Sequence, residues 1–361
     1  MTFIIDAHLD LAWNALQWNR NLLAPVEDIR VAEHHVPGPG RGQGTVSLPA
    51  MRRGRVALCF ATLLARSTGE PVPNLDYATP AQAYGTAQGQ LAYYHALAQQ
   101  GEIRLITGRA ELDSHIAEWE QWERDEGTRP QPTLGVIISM ESADPILQPS
   151  QLPEWSQAGV RVIGPAHYGP GRYAGGTGSE SGLTAAGFSL LREMEQAGII
   201  LDLTHLSDQA FWQALDNYGG PVLASHNNCR ALVPHQRQFD DDQLRAIIAR
   251  EGVIGVACDN WMIRPGWVRG AGDNQPVSLA HVVDHVDHIC QLAGNSRHVG
   301  IGSDLDGGFG REQSPHDLDT IADLQQLGEW LLERGYAQAD VSAILHGNWL
   351  RFLRRAWGTR S

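Results

Sequence analysis

The sequence of 361 residues contains no lysine, so all 27 of its basic side chains are arginine. Without an amine side chain, Schiff-base chemistry, a Walker-type phosphate loop and a carboxylated lysine bridging two metals are all excluded. The four cysteines, Cys59, Cys229, Cys258 and Cys290, lie far apart and form no C-x-x-C pair. Neither a cysteine zinc site nor a disulfide scaffold is therefore indicated, and we expect buried, reduced thiols.

Positive charge and long apolar runs are also scarce. The 41 acidic residues outnumber the 27 basic ones, which gives a formal net charge of −14. Such a charge repels polyanions, so neither nucleic acid nor an anionic membrane is expected as a partner. No run of about 20 apolar residues occurs, and the first residues, MTFIIDAHLD, lack the pattern of a signal peptide. We therefore expect a cytoplasmic globular protein.

Short runs rich in Val, Ile and Leu recur along the chain, with helical segments between them. Continuous apolar runs of this length are typical of parallel strands that are covered on both faces. Eight strands are predicted, at residues 3–6, 56–65, 133–140, 160–166, 199–205, 221–226, 252–258 and 298–304. Helices are predicted at 80–100, 183–197, 207–219, 240–252, 278–293, 317–334 and 338–356. This alternation, without a linker, predicts a single α/β domain over residues 1–361, a (β/α)8 TIM barrel, with a doubly wound open sheet as the alternative.

Two stretches, residues 31–54 and 165–182, are dense in glycine and proline, which favours loops. The segment GPGRGQG (38–44) superficially resembles a phosphate loop. Because it lacks the lysine and the strand–turn–helix setting of such a loop, we predict an ordinary flexible loop there. In a barrel, loops that follow the strands shape the site.

Side chains that can bind metals or move protons stand where the predicted strands end. Because the carboxyl ends of the strands converge on one face of a barrel, these side chains are expected to meet there. They are His8, Asp10, Glu141, His167, His205, His226, Asp304 and Asp306. His8 and Asp10 lie two residues apart on an extended strand, so they point the same way and can bind one cation.

Five of these residues predict a metal centre. Glu141 ends an apolar strand, and its carboxylate needs a partner because an isolated charge is costly to remove from water. His205 and His226 end equivalent strands, where neutral imidazoles are good zinc ligands. Together with His8 and Asp10 they form a nitrogen and oxygen donor set that fits two Zn²⁺ ions, with manganese or iron as alternatives.

Five separated segments of the chain resemble the membrane (renal-type) dipeptidase family of binuclear zinc metallopeptidases, in a soluble bacterial form. They are DAHLDL (6–11), GVIISMES (135–142), LDLTHLSD (201–208), PVLASHNNCRALVPHQRQFDDDQL (221–244) and HVGIGSDLDG (298–307). The resemblance spans nearly the whole chain. It implies a (β/α)8 barrel, a homodimer, and two zinc ions bridged by Glu141, with His8 and Asp10 on one metal and His205 and His226 on the other.

The resemblance also implies roles in catalysis. A water or hydroxide between the two metals would attack the carbonyl of the scissile amide. Asp304 would hold this nucleophile and pass its proton to the leaving amine. His167 would stabilise the tetrahedral oxyanion, and Arg237 would bind the free carboxylate of the substrate. Asp306 is expected to be structural.

The chain departs from the family at two places that affect the substrate range. After Glu141 it has Ser142, Ala143 and Asp144 where many members have Gly-Gly-His. After His167 it has a glycine-rich loop where the mammalian enzymes have Cys, Asn and Trp. The natural substrate is therefore left open.

The sequence thus predicts a zinc dipeptidase that hydrolyses the peptide bond of dipeptides, with L-D dipeptides included as a family-level expectation. One alternative is a binuclear amidohydrolase that acts on N-acyl amino acids, lactams or cyclic amides, since the same attack by water serves them all. Another is a non-catalytic metal-binding barrel within a larger assembly. The presence of all five predicted ligands together with Asp304 argues against this last alternative.

Overall fold

The computed structural model describes residues 2–69, 72–125, 128–272 and 275–358. Within these ranges nine strands form one sheet in which all pairings are parallel. They are β1 (Ile4–Leu9), β2 (Val56–Leu64), β3 (Ile103–Leu105), β4 (Leu134–Glu141), β5 (Val160–Gly164), β6 (Ile200–Asp202), β7 (Val222–Leu223), β8 (Ile254–Val256) and β9 (Val299–Ile301).

Eight of these strands surround a common interior. Their order is β1, β2, β4, β5, β6, β7, β8 and β9, and the pairing of β9 with β1 completes the ring. The contact between β7 and β8 is a single parallel bridge between Ala224 and Ile254. The predicted (β/α)8 barrel is thereby confirmed, and the doubly wound sheet is excluded by this closure.

Each predicted strand is present, although the observed strands are mostly shorter. The remaining strand, β3, was not predicted. It pairs with the first half of β4, from Ile103 opposite Leu134 to Leu105 opposite Val136, and lies off the barrel path. Only Ile103 of its three residues is buried, so no apolar run marks the strand in the sequence.

Helices fill the connections between the strands. They are α1 (Leu11–Gln17), α2 (Val26–Glu33), α3 (Leu48–Arg53), α4 (Pro80–Gln99), α5 (Arg109–Arg124), α6 (Leu152–Gln157), α7 (Ala185–Ala197), α8 (Asp208–Asn217), α9 (Asp241–Ala249), α10 (Asn260–Ile263), α11 (Leu279–Ala293), α12 (Gln326–Arg334), α13 (Gln338–Ser342) and α14 (Asn348–Gly358). Short 3₁₀ helices cover Pro149–Gln151 and Ile321–Gln325, and a π-helical segment, Ala343–Gly347, joins α13 to α14. Among the helices of the described residues, none combines the length and the hydropathy needed to cross a membrane.

The stretch 31–54, expected to be irregular, is partly helical. It contains the last turn of α2 and the whole of α3, whose first turn is capped by the Ser47 hydroxyl accepting a bond from the Ala50 amide. The prediction failed because most of the glycines and prolines lie between residues 37 and 44, while Pro49 and Gly54 stand in the first turn and at the C-terminal end of α3, where a helix accommodates them. The range 165–182 is irregular, as predicted, apart from isolated bridges such as Tyr168 to Thr177.

Close backbone approach at two glycines fixes the chain just before His226. A Cβ atom at Gly255 would lie 1.9 Å from the carbonyl oxygen of Ser225, and one at Gly302 would lie 1.7 Å from the same oxygen. Gly255 lies within β8, and Gly302 directly follows β9. A side chain at either position would push β7 and its histidine away from the barrel wall.

The C-terminal helix packs against the barrel strands. Trp349 of α14 contacts Phe60 of β2, with ring centroids 5.5 Å apart. Its indole N–H donates to the carbonyl oxygen of Ile301 in β9 at 3.0 Å. Since Trp349 is fully buried, the last helix is part of the core.

Candidate active site

A cavity of about 350 Å³ lies at the carboxyl ends of the strands. Seven predicted site residues line it, and they come from six different strands: Asp10, Glu141, His167, His205, His226, Arg237 and Asp304. His8 is almost fully buried beside them. The barrel therefore brings together side chains that lie as far apart in the sequence as His8 and Asp304.

Glu141 lies between two groups of predicted ligands. Its Oε1 atom is 3.1 Å from Nε2 of His205 and 3.4 Å from Nε2 of His226. Its Oε2 atom is 3.6 Å from Nε2 of His8. Two sets of mutually close ligand atoms result, Glu141 with His205 and His226, and Glu141 with His8 and Asp10. This is the arrangement that a bridging carboxylate requires.

Unpaired polar atoms in the cluster fit bound cations. Nε2 of His8 and Oδ1 of Asp10 are buried and have no hydrogen-bond partner in the described part of the chain. Nδ1 of His205 lies 2.9 Å from the Thr177 hydroxyl, and Nδ1 of His226 lies 2.9 Å from the Ser225 hydroxyl. Hydrogen bonding at Nδ1 orients an imidazole so that Nε2 is free to bind a metal.

Burial shifts the pKa values of the cluster in opposite directions. It lowers the pKa values of His205 and His226 well below the usual range, so both imidazoles are neutral. It raises the pKa of Glu141 to about 7 and that of Asp304 well above its usual range. Burial also opposes the charge on His8, but the carboxylates of Glu141, Asp10 and Asp304 outweigh it and raise the pKa of His8 to about 10. The excess of buried negative charge is what divalent cations would offset.

Left-handed backbone directs several of these side chains. The φ angle is +67° at His205, +58° at Asp304, +62° at Asp306 and +71° at Ser142, each just after a strand. Such conformations cost about 1–3 kcal/mol in residues other than glycine and cluster at functional sites. The strained turns therefore coincide with the strand ends that form the cavity.

Asp304 and His167 lie beside the cluster. Oδ1 of Asp304 is 3.7 Å from Nε2 of His8. Nε2 of His167 is 3.8 Å from Oε1 of Glu141, and its Nδ1 is 3.3 Å from Nη1 of Arg66. Because a guanidinium can only donate, Nδ1 of His167 accepts this bond and Nε2 carries the proton.

Arg237 is held at the cavity wall by two hydrogen bonds. Its Nη1 donates to Oδ1 of Asn227 at 2.8 Å, and its Nη2 donates to the carbonyl oxygen of His226 at 2.9 Å. These bonds use two of the five N–H groups of the guanidinium. The planar group is thus fixed in orientation next to a predicted ligand, although it is only 2% exposed.

Asp306 does not line the cavity, as expected for a structural residue. Its Oδ1 accepts bonds from the amide and hydroxyl of Thr45, and its Oδ2 accepts from the amide of Val46. Nη1 of Arg20 lies 2.9 Å from its Oδ2. These contacts join the turn after β9 to the segment before α3.

Sequence reasoning missed several residues that line the cavity: Trp13, Leu64, Arg66, Leu75, Tyr168, Asp259 and Met262. Arg66 and Asp259 each directly follow a predicted strand, so the rule that located the other candidates could have found them. Tyr168 was overlooked because the prediction for this loop considered only its neighbour His167. The apolar residues carry no signal in the sequence that separates them from the core.

The sequence model of the family described as membrane dipeptidase (Peptidase family M19) matches residues 1–360. The chain belongs to the membrane dipeptidase family. Its predicted family and enzyme class are thereby confirmed, and this family member is a metallo-dipeptidase.

Known proteins agree with this assignment. Dipeptidase aclJ of Aspergillus oryzae is 27% identical to this dipeptidase over 316 residues, 86% of this chain and 69% of that protein. An uncharacterized protein in the pqqA 5′ region of Klebsiella pneumoniae is 34% identical over 208 residues, 55% of this chain and 73% of that protein. Among solved structures, that of the metallo peptidase dipeptidase AC has a TM-score of 0.79 at 25% identity, covering 99% of both chains.

Proposed function

We propose that this family member is a binuclear zinc dipeptidase whose metal ligands are His8, Asp10, Glu141, His205 and His226. The observation that carries the proposal is the position of Glu141, with one carboxylate oxygen toward His205 and His226 and the other toward His8. The unpaired atoms of His8 and Asp10 support it, because buried polar atoms without partners are costly. The mixed nitrogen and oxygen donor set suits zinc.

Two divalent metals, when bound, would lower the pKa of water and polarise the scissile carbonyl. Asp304 takes the proton of the attacking water and transfers it to the nitrogen of the leaving amine. Its raised pKa supports this role, since a carboxyl group must hold the proton between the two steps. His167 donates from Nε2 to the oxygen of the tetrahedral intermediate, because Arg66 occupies its Nδ1.

The substrate is a dipeptide held by its free carboxylate. Arg237 is the proposed partner of this group, because a fixed guanidinium can bind a carboxylate through two parallel hydrogen bonds. The cavity of about 350 Å³ is at the small end of ligand pockets and suits a dipeptide better than a longer peptide. We extend the proposal to dipeptides with a D-residue at the carboxyl end.

The test is an assay of zinc-loaded protein, with its metal content measured in parallel. We expect about two metals per chain, hydrolysis of L-Ala-L-Ala or L-Ala-D-Ala, and a large loss of rate for the corresponding dipeptide amides, which lack the carboxylate. Cleavage of only N-acylated or cyclic amides would contradict the dipeptidase proposal. A metal-free protein that cannot be loaded would contradict the proposed ligands.

A further inference from the structure

Asp259 is a further carboxylate on the cavity wall, in addition to the proposed metal ligands and Asp304. The residue lies three positions after the end of β8, is 5% exposed and lines the cavity. Its Oδ1 accepts a hydrogen bond from the side-chain amide of Gln313 at 2.7 Å. Gln313 is neutral, and its own oxygen accepts from Arg269. Among the described residues, Asp259 forms no direct ion pair with an arginine or histidine. Burial raises its pKa to about 7, although hydrogen bonds from Gln313 and Trp261 and the charge of Arg269 act in the opposite direction.

The position of β8 in the barrel decides which part of a substrate Asp259 faces. β8 lies between β7 and β9. The segment after β7 carries Arg237, and the turn after β9 carries Asp304. In the proposed function, Arg237 binds the carboxylate of the C-terminal residue of the substrate, and Asp304 protonates the nitrogen of that same residue. Asp259 therefore lies on the wall that faces the C-terminal residue.

The carboxyl group of Asp259 acts electrostatically on other groups that line the cavity. Its negative charge helps to raise the pKa values of both Asp304 and Tyr168, which also line the cavity. Met262, one turn further along the chain in α10, adds an apolar surface to the same wall. An apolar surface followed by a buried carboxylate suits a side chain with an aliphatic stem and a charged head.

We propose that Asp259 is a specificity-determining residue that selects dipeptides whose C-terminal residue has a cationic side chain, such as arginine or lysine. The inference rests on the proposed dipeptidase function. The carboxylate of Asp259 loses water on burial and forms no direct ion pair within the described part of the chain, where the nearest cationic influence is the indirect one of Arg269. An incoming guanidinium or ammonium group would offset that cost. A neutral side chain of the same shape leaves the cost in place.

The experiment compares kcat/KM for L-Ala-L-Arg with that for L-Ala-L-citrulline, which has nearly the same shape and no charge. We expect the unaltered, zinc-loaded protein to prefer the arginine substrate by about tenfold or more at about pH 8, where the carboxyl group is mostly ionised. Asp259→Asn should reduce this ratio to about one, because it removes the negative charge that attracts the cationic side chain. The amide oxygen can still accept the bond from Gln313, so the local structure should be kept. The control Asp242→Asn, at an exposed position of α9, should keep the preference.

Three results would overturn the inference. They are equal use of both substrates by the unaltered protein, an unchanged ratio in Asp259→Asn, and a loss in Asp259→Asn that is equal for both substrates. The last result would assign Asp259 to a group that all dipeptides share. If Asp259→Asn does not fold, product inhibition of the unaltered protein by free arginine and citrulline gives an independent test, in which arginine must inhibit more strongly.

The same assay separates this inference from the function on which it rests. Hydrolysis of L-Ala-L-Ala without any preference for arginine over citrulline would contradict only the role of Asp259. Failure to cleave any of the three dipeptides at full metal content would contradict the dipeptidase proposal itself, and the role of Asp259 with it.

Discussion

At the residue scale, Glu141 joins the two halves of the proposed metal centre. Its two carboxylate oxygens face different histidines, and both oxygens lie in a region where burial already raises the pKa of the group. A second carboxylate, Asp10, and a third, Asp304, lie beside it. Such a concentration of buried acidic groups is unfavourable without cations. Because the proposal gives these residues different roles, their variants should affect metal binding and proton transfer differently.

Glu141→Gln should weaken metal binding, because a neutral amide has one acceptor oxygen and cannot bridge two cations. We expect clearly fewer than two metals per chain after dialysis, measured by inductively coupled plasma mass spectrometry. The matched control is Glu118→Gln on α5, where Glu118 forms an exposed ion pair with Arg104 of β3. This variant should bind metal normally. Full loading of Glu141→Gln would show that the bridge lies elsewhere.

Asp304→Asn should separate catalysis from metal binding. The amide cannot carry a proton from water to the leaving amine, so kcat should fall by about 10²–10⁴-fold, the usual contribution of general acid–base catalysis. The metal content should stay at that of the unaltered protein, since Asp304 is not one of the five proposed ligands. If the variant lost its metals as well, Asp304 would have to be counted among the ligands.

Arg237→Lys should weaken recognition of the carboxylate while keeping the positive charge. A lysine cannot form two parallel hydrogen bonds, so we expect a loss in kcat/KM that corresponds to about 1.5–3 kcal/mol for a dipeptide. The dipeptide amide, already slow, should change little. Circular dichroism must show unaltered secondary structure, because Arg237 also bonds to Asn227 and to the His226 carbonyl. An equal loss for both substrates would argue for a purely structural role.

At the element scale, a buried polar network fastens the turn after β9 to the segments that follow β1. Arg20 pairs with Asp306 and with Glu33 of α2, and both Arg20 and Asp306 have almost no exposed surface. The turn after β9 also carries Asp304. The network therefore fixes the segment that carries the proposed proton carrier, through contacts between elements that are far apart in the sequence.

Removing the cation from this network should be costly. Arg20→Met removes the cation that Asp306 and Glu33 share and leaves only neutral hydrogen-bond donors for the buried carboxylate of Asp306. We expect the free energy of unfolding to fall by about 3–5 kcal/mol. Urea denaturation followed by tryptophan fluorescence measures the change. The control Arg104→Met removes a largely exposed ion pair and should cost no more than about 1 kcal/mol. Similar losses in the two variants would mean that the network is not an essential link.

At the scale of the whole molecule, the proposed metals would hold four different strand ends together. The ligands come from the ends of β1, β4, β6 and β7, while Arg237, Asp259 and Asp304 complete the cavity from β7, β8 and β9. In a barrel whose β7–β8 closure is a single bridge, ligation across the mouth should add to global stability. The single domain over residues 1–361, the homodimer and the cytoplasmic location stay predictions.

Removal of the metals should therefore lower the melting temperature as well as the activity. A ligand present at about 1,000 times its dissociation constant stabilises a folded protein by about 4 kcal/mol. We expect a chelator to lower Tm by several degrees and added zinc to restore both Tm and dipeptide hydrolysis. The Glu141→Gln variant, which should bind less metal, should respond less to the chelator. An unchanged Tm of the unaltered protein on complete metal removal would contradict a centre that spans the strands.

The sequence by itself determined the fold class and the candidate ligands. Apolar runs report parallel strands, and His8, Glu141, His205 and His226 each stand at the end of such a run, so a local pattern was sufficient to find them. Arg237 and the roles of His167 and Asp304 came only from the resemblance of separated segments to a family. Short elements such as β3 could not be predicted, because three residues with one buried side chain show no hydrophobic periodicity.

Only the tertiary structure decided which side chains share a cavity and what surrounds them. The pairing of Arg66 with His167 and the contact of Asp259 with Gln313 join residues 101 and 54 positions apart, and no local pattern specifies such contacts. The excess of buried negative charge is likewise a property of the assembled barrel, because a pKa shift requires burial and neighbours. The proposed ligands can therefore be recognised by residue type and position in a strand, whereas the residue proposed to select the substrate is defined by packing around the barrel mouth.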